Sequence, residues 1–224
     1  MKLFVQAVAA SLFGLVFFGV FLFWPAGTFD YWQAWVFIAV FTAVSSGPTM
    51  YWGLRKPEVL RRRMHAGPIA ETRGAQKIAT VGTMATVIAA LVVCALDHRF
   101  GWSQVPTPVV VIGDILVASG LGMATMVVNQ NSYAAATIRV EAEQTVVSTG
   151  LYSLVRHPMY AGALIMMVGM PLALDSYWGL VTFLPGLAVL AFRIDDEEKM
   201  LRQELAGYHE YTQKVHYRLV PGVW

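Results

Sequence analysis

Long apolar segments constrain the fold of this chain more than any other feature of its sequence. Residues 3–23 contain no charged side chain, and at a rise of about 1.5 Å per residue they can cross the roughly 30 Å hydrocarbon core of a bilayer. This run exceeds the usual ~7–15-residue apolar region of a signal peptide, which favours a first transmembrane helix over a cleaved signal. Only 13% of the 224 residues are charged, against roughly 25% in soluble domains. The composition therefore predicts a membrane protein.

Five further apolar segments follow along the chain. They cover residues 31–53, 75–96, 109–128, 159–174 and 177–192. The last two are short and are separated only by Asp175 and Ser176, so they predict a tight helical hairpin. No repeat or change of composition marks a second domain. The predicted fold is all-α: a single multi-pass transmembrane domain of about six hydrophobic helices, including a C-terminal helical hairpin, with a cytoplasmic amphipathic tail.

The distribution of positive charge predicts the orientation of these spans. The connection 25–30 has no lysine or arginine, and 97–108 has only Arg99. By the positive-inside rule, the much more basic connection 54–76 is cytoplasmic. Counting spans from there puts both termini and the connection 129–157 on the same side. The basic residues of 54–76 are Arg55, Lys56, Arg61, Arg62, Arg63 and Arg73.

The remaining composition argues against several classes of partner. A net charge of +2 spread over long uncharged stretches provides no dense basic face for nucleic acid. The single cysteine, Cys94, leaves no internal disulfide and no cysteine-rich metal site. We therefore expect neither a nucleic-acid partner nor a metal. The histidines, which show no metal-ligand pairing of the HExxH type, are His65, His98, His157, His209 and His216.

Two features inside the predicted spans have structural interpretations. Gly120 and Gly122 form part of a glycine pattern found in dinucleotide sites, but no strand precedes them. Close packing of membrane helices through small residues explains them better. A carboxylate buried in a span is a functional candidate, but Asp114 lies near the outer end of its span, which favours an interfacial position.

The segment 150–162 combines several constraints at the start of a helix. Pro158 suits the first helical turn and pushes His157 towards an extended conformation. The free N–H groups of that turn, beside Arg156 and His157, predict an anion site at the cytoplasmic surface. A basic juxtamembrane anchor before an ordinary helix is the alternative interpretation.

The C-terminal segment predicts a complementary cation site. On a helical plot of residues 190–208, Glu197 falls on the same stripe as the apolar side chains. Asp195 with Lys199, and Glu198 with Arg202, have the spacing of surface ion pairs. A packed Glu197 needs a cationic partner, which is either Arg193 or the ammonium group of a ligand. An anion site and a cation site on one face suit a zwitterionic amino-acid moiety. The apolar stripe consists of Leu190, Ile194, Leu201, Leu205 and Tyr208.

The same segments resemble the isoprenylcysteine carboxyl methyltransferase family and its bacterial relatives, which include phospholipid methyltransferases. The resemblance extends from about residue 129 to the C-terminus. Its motifs are residues 145–152 (TVVSTGLY), 156–162 (RHPMYAG), Arg193 with residues 196–198, residues 208–211, and the ending 217–224 (YRLVPGVW). It implies that residues 129–224 form the cofactor-binding and catalytic region, and that residues 1–128 are the transmembrane scaffold. A bacterial inner membrane is the implied location.

The resemblance implies an S-adenosylmethionine-dependent enzyme that methylates a lipophilic small molecule or lipid. The acceptor group is a carboxylate, an amine or a thiol. Arg193 is expected near the acceptor as a catalytic residue, and His157 is a possible base for an amine or thiol. This chain has Gln144 and Leu151 where family members often have histidine and proline. The implied cofactor contacts are Gln144, Thr145, Val146, Val147, Tyr152, His157, Pro158, Met159, Tyr160 and Glu197.

Two alternatives to methyl transfer remain at this stage. Sterol reductases, which use NADPH, resemble this family in the same His-Pro-x-Tyr region. They typically have asparagine after the His-Pro pair and an acid after the following glycine, where this chain has Met159 and Ala163. A non-enzymatic membrane binding protein is the second alternative, and it would not explain why Glu197 and His157 converge.

Overall fold

The computed structural model describes residues 2–64, 67–134, 137, 140 and 144–224, and this part of the chain contains helices and no strand. The all-α prediction is confirmed. Short 3₁₀ helices cover Gly150–Ser153 and Trp178–Thr182. The α-helices are α1 (Lys2–Ala26), α2 (Trp32–Arg55), α3 (Pro57–Met64), α4 (Gly74–Phe100), α5 (Thr107–Gln130), α6 (Pro158–Ala173), α7 (Phe183–Glu204) and α8 (Tyr208–Lys214).

Five helical segments among the described residues are long and apolar enough to cross a membrane. They are Val8–Ala26, Trp32–Arg55, Gly74–Phe100, Thr107–Gln130 and Trp178–Glu204. The sixth apolar helix, α6, has 16 residues and is roughly 24 Å long. It is followed by a tight turn and α7, so the predicted hairpin is confirmed, as is the multi-pass architecture.

The surface of the spans fits lipid as solvent. Large apolar side chains point outward along α1 and α5: Phe13 is 70% exposed and Ile115 is 58% exposed. Inside, α4 packs against α1 and α7, while α5 packs against α2 and α6. The main core joins Leu22, Phe37 and Leu91 of three different helices. Contiguous outward apolar surface of this kind is stable only when something other than water covers it.

Glycines let α5 and α6 approach unusually closely. A Cβ on Gly120 would lie 2.5 Å from the backbone oxygen of Gly162, and a Cβ on Gly113 would lie 2.3 Å from the backbone nitrogen of Ala173. The small-residue interpretation is therefore confirmed for Gly120. It is wrong for Gly122, where an added Cβ would meet no atom within 4 Å. This packing fixes α6, and with it the position of the residues at its start.

A buried polar cluster holds the other end of the hairpin. Asp97 is fully buried and accepts hydrogen bonds from the Ser176 hydroxyl (2.6 Å), from the Ser103 backbone N–H (2.7 Å) and from the Ser103 hydroxyl. The Tyr31 hydroxyl donates to the backbone oxygen of Leu174 (2.6 Å). These contacts connect the turn after α6 to α2 and α4, so both ends of α6 are fixed.

Two details add to the sequence-based expectations. Asp114, near the outer end of α5, is 7% exposed, and within the described residues its Oδ1 has no hydrogen-bond partner. The helix plotted over residues 190–208 ends at Glu204. Gly207 adopts a left-handed φ of 82°, a conformation that glycine tolerates best, and α8 then begins at Tyr208.

Substitutions on α5 test the close packing. Gly120→Ala should lower the free energy of unfolding by about 1–3 kcal/mol, because the new methyl group overlaps the backbone of α6. Gly122→Ala, two residues along the same helix, faces open space and should be neutral or stabilising by up to about 1 kcal/mol. Thermal unfolding of both variants in detergent, followed by circular dichroism, measures the difference. Equal melting temperatures would contradict the assignment of Gly120 to the helix contact.

Candidate functional site

A pocket lies where the start of α6 meets the C-terminal half of α7. The segment before Gly150, the 3₁₀ helix Gly150–Ser153 and the helix α8 complete its wall. The structure brings all the predicted site residues to this one pocket. Lining it are Gln144, Thr145, Val146, Val147, Tyr152, His157, Pro158, Met159, Tyr160, Arg193 and Glu197.

His157 stands at the N-terminus of α6, where the sequence predicts it. Pro158 occupies the first turn, and the backbone N–H of His157 donates to the backbone oxygen of Arg218 (2.9 Å). Its Nε2 lies 3.3 Å from Oε1 of Glu198, and its Nδ1 lies 3.9 Å from Oε2 of Glu197. The imidazole is 5% exposed and lies between these two carboxylates.

Glu197 is oriented by an aromatic hydroxyl. The Tyr160 hydroxyl donates to Oε2 of Glu197 at 2.7 Å, and the same hydroxyl accepts a hydrogen bond from Nε of Arg193 at 3.0 Å. The Glu197 side chain is 19% exposed. Its carboxylate therefore has a fixed direction, borders the pocket and keeps accepting capacity for a ligand donor.

Arg193 is fixed by three different side chains. Besides Tyr160, it donates from Nη1 to the Thr80 hydroxyl (2.8 Å) and from Nη2 to Oε1 of Glu71 (3.1 Å). The Glu71 carboxylate is 1% exposed. It lies in the basic connection before α4, and sequence reasoning missed it, since an isolated acid outside a helix gives no periodic signal. A buried ion pair of this kind holds α7 to that connection.

Glu198 differs most from its sequence-based interpretation. The predicted surface pair with Arg202 exists at 3.5 Å, but Glu198 is only 2% exposed. Its carboxylate lies 2.8 Å from Nε of Arg156 and 3.1 Å from Nη2 of Arg218. The surface interpretation of Glu198 is therefore wrong. Arg218 also contacts Asp195 at 2.9 Å. The sequence predicts Lys199 as the partner of Asp195.

This ion cluster also revises the predicted anion site. The Arg156 side chain is 9% exposed and paired with Glu198, so its charge is largely balanced inside the protein. At the start of α6, Pro158 has no N–H, and the backbone N–H groups of His157 and Tyr160 donate to the backbone oxygens of Arg218 and His157. The N–H of Met159 and the positive end of the helix dipole therefore favour an anion there. The predicted site is thus smaller than the sequence suggests.

Three tyrosines form an aromatic wall that the sequence-based site only partly includes. The Tyr211 hydroxyl donates to the backbone oxygen of Tyr152 (2.6 Å), and the Tyr208 hydroxyl is buried without a hydrogen-bond partner among the described residues. Burial raises the pKa of Tyr152 to about 12 and raises the pKa values of Tyr208 and Tyr211 above their usual range. All three phenols therefore stay protonated at neutral pH. In the sequence, the motif at residues 208–211 is the feature that could have placed Tyr208 and Tyr211 in the site.

The lining combines charge with apolar surface. Glu197 presents a negative charge, the start of α6 presents a positive end, and Val146, Leu201 and Leu205 supply apolar contacts. Such a pocket fits a ligand that has both a zwitterionic and a less polar part. Among the described residues, no group of three His, Cys, Asp or Glu side chains is arranged to hold a metal ion. His65 lies outside the described residues.

Comparisons with known proteins point to one group of enzymes. Residues 108–206 match the family model described as phospholipid methyltransferase. Two curated relatives, from Oryza sativa subsp. indica and subsp. japonica, each carry the description "Probable protein-S-isoprenylcysteine O-methyltransferase". Each is 33% identical over 116 residues, covering 51% of this chain and 59% of the relative. The match therefore spans about three fifths of the relatives' length.

Truncating Glu198 tests its structural role. Glu198→Ala should lower the free energy of unfolding by about 3–5 kcal/mol, because the buried guanidinium of Arg156 loses its counter-charge and Arg218 keeps only Asp195. Chemical unfolding in mixed micelles measures the loss. The control is Glu210→Ala, which removes an exposed carboxylate from α8 and should change stability by less than about 0.5 kcal/mol. Similar stabilities for the two variants would rule out Glu198 as the centre of the cluster.

Proposed function

We propose that this chain, whose residues 108–206 match the family model described as phospholipid methyltransferase, transfers a methyl group from S-adenosylmethionine to a lipophilic acceptor at the cytoplasmic membrane face. One observation carries the proposal. Glu197 is remote in sequence from His157 and from the segment 144–147, yet all of them line a single pocket. Their charges and apolar surfaces match an amino acid joined to a nucleoside.

The residues present fit this cofactor. Glu197 would accept hydrogen bonds from its ammonium group, while His157 and the backbone N–H of Met159 at the start of α6 would bind its carboxylate. The Tyr208 hydroxyl, which is buried without a hydrogen-bond partner among the described residues, offers a further polar contact. When bound, S-adenosylmethionine supplies a methyl group already activated by a positively charged sulfur. The other proposed contacts are Gln144, Thr145, Val146, Val147, Tyr152, Pro158, Met159 and Tyr160.

In this proposal the protein acts mainly by positioning the reactants. Tyr160 orients Glu197, and Arg193 orients Tyr160, through hydrogen bonds of 2.7 and 3.0 Å. Arg193 also brings positive charge to the acceptor side of the pocket. A dry, fixed arrangement of this kind favours displacement at an activated carbon. A carboxylate acceptor needs no base. An amine or thiol acceptor must lose a proton, and then His157, between Glu197 and Glu198, is the proposed base.

The proposed orientation follows the positive charges. Arg63 lines the pocket, and Arg73 pairs with Asp196 of α7 at 2.8 Å, so the basic connection lies at the pocket end of the helices. The positive-inside rule then puts the pocket and both termini in the cytoplasm. We further propose a bacterial inner membrane, on the resemblance alone. In the single membrane domain, residues 1–128 would serve as scaffold and residues 129–224 would hold the cofactor.

Binding of two cofactor types separates methyl transfer from reduction. Purified protein in detergent should bind S-adenosylhomocysteine saturably and should not bind NADPH, because the pocket offers Glu197 for an ammonium group. Isothermal titration with each ligand at the same concentration tests this. Saturable binding of NADPH without binding of S-adenosylhomocysteine would favour the reductase alternative and overturn the proposal.

A conservative substitution tests the role of Glu197. Glu197→Gln keeps the shape of the side chain and removes its charge, so it should weaken S-adenosylhomocysteine binding by roughly tenfold to over a hundredfold. Glu204→Gln, an exposed carboxylate at the end of the same helix, should leave the dissociation constant unchanged. The measurement is titration of both variants alongside the parent protein. An unaltered affinity in Glu197→Gln would reduce Glu197 to a structural partner of Tyr160.

A further inference from the structure

Arg63 differs from its two neighbours at the end of α3. Arg61 pairs with Glu58 at 3.4 Å, and Arg62 donates to the backbone oxygen of Ser132 at 3.1 Å. Arg63 forms no ion pair within the described residues, and its Nη1 is buried without a hydrogen-bond partner. Its guanidinium lies 5.7 Å from the ring centre of Trp52. Burial lowers the pKa of Arg63, yet an arginine remains charged at neutral pH. A buried guanidinium without a counter-charge favours the binding of an anion.

A groove between α1 and α2 ends at this arginine. Gly14 and Phe18 of α1 line it on one side, Phe41 and Trp52 of α2 on the other, and Leu60 of α3 closes the end beside Arg63. Apolar residues and one glycine make up eight of the fourteen lining residues, and the hydroxyls of Ser11, Thr42, Ser45, Ser46 and Thr49 also line the groove. Those of Ser46 and Thr49 donate to backbone oxygens of their own helix (2.6 and 2.7 Å), so they do not require a polar ligand.

Arg63 connects this groove to the pocket of the proposed cofactor. Of the described residues, it alone lines both cavities. Trp52 and Leu60 of the groove also belong to the apolar cluster that Met159 of the pocket packs against. An amphiphile lying in the groove would therefore bring its head group to Arg63 and to the pocket at the same time.

We propose that Arg63 holds the carboxylate of a membrane-derived acceptor whose apolar chain lies in the groove between α1 and α2. This inference rests on the proposed function and adds a residue that selects the acceptor. Arg193 already donates to Tyr160, Thr80 and Glu71, whereas the Nη1 of Arg63 has no partner in the described chain. A single guanidinium balances the single charge of a carboxylate and matches its planar geometry.

Quenching of Trp52 fluorescence measures occupancy of the groove without any methyl transfer. The protein is placed in phosphatidylcholine nanodiscs at pH 9, where a membrane-bound fatty acid is ionised, and is titrated with 9,10-dibromostearate or with the corresponding dibromo alcohol. Quenching in the groove is taken as the difference in quenching between the parent protein and the variant Trp52→Phe. We expect half-saturation at a concentration at least about tenfold lower for the acid than for the alcohol. Equal values for the two probes overturn the proposal.

Matched variants on α3 assign the preference to Arg63. Arg63→Gln should remove the difference between acid and alcohol, whereas Arg61→Gln removes the same charge from the exposed face of the same helix and should retain it. Retention of the preference in Arg63→Gln contradicts the assignment. Arg63→Lys keeps the charge and should preserve most of the preference. If Arg63→Gln does not fold, the comparison of acid with alcohol in the parent protein still decides whether an anion is selected.

Matched variants on α1 test the groove. An added Cβ at Gly14 or at Gly19 would meet no atom within 4 Å, so neither change should disturb the packing. Leucine at Gly14 would project into the groove, and Gly14→Leu should weaken quenching by both probes at least about tenfold. Gly19 lines a different depression of the surface, and Gly19→Leu should have no effect. Unchanged quenching in Gly14→Leu rules out this groove as the binding site.

Titration with S-adenosylhomocysteine separates failure of this inference from failure of the proposed function. Selective quenching by the acid, without binding of S-adenosylhomocysteine, supports a carboxylate site in a protein of another function. Binding of S-adenosylhomocysteine without preference for the acid leaves methyl transfer standing and overturns the role of Arg63.

Discussion

The buried carboxylate of Glu198 is the interaction on which the pocket depends. It joins Arg156, which precedes α6, to Arg218 in the C-terminal tail, and it lies within 3.3 Å of His157. The segment 156–157 and the C-terminal tail, which are remote in sequence, are thereby both fixed to α7. Adjacent helical residues point about 100° apart. Anchoring Glu198 inward therefore directs Glu197 towards the pocket, and one acid stabilises the fold while its neighbour remains available to a ligand.

A second layer of fixed contacts surrounds this centre. Arg193 is held by Glu71 and Thr80, and Arg73 pairs with Asp196 on the same helix. The basic connection before α4 thus contacts α7 through two ion pairs. It supplies the acid in one pair and the cation in the other. On the other side, the close contact of α5 with α6 at Gly120 and Gly162 limits movement of the α6 start. The pocket is consequently built on rigid elements, which suits chemistry that depends on distance and alignment.

Sequence patterns predicted the parts of this structure that depend on local regularities. The spans follow from the length of apolar runs, and the start of α6 follows from the restrictions of Pro158. The assignment of Glu198 to the surface failed because the i, i+4 rule considers only its own helix, whereas Arg156 and Arg218 approach from other segments. Glu71 was missed because its partner, Arg193, also lies in another segment. The break at Gly207 interrupts a stripe whose buried members, Leu205 and Tyr208, still pack together, so periodicity alone could not reveal it.

The shortness of α6 has a consequence for where the pocket lies in the bilayer. A helix of 16 residues is roughly 6 Å shorter than the hydrocarbon layer. Its far end is fastened by the hydrogen bonds around Asp97 and Ser176. Where α6 crosses as the sixth span, this hydrophobic mismatch would be absorbed at the end that carries His157, by local thinning of the membrane or by a polar recess below the plane of the head groups. A lipid could then meet this end of the protein by lateral diffusion within its own leaflet, without being lifted into water.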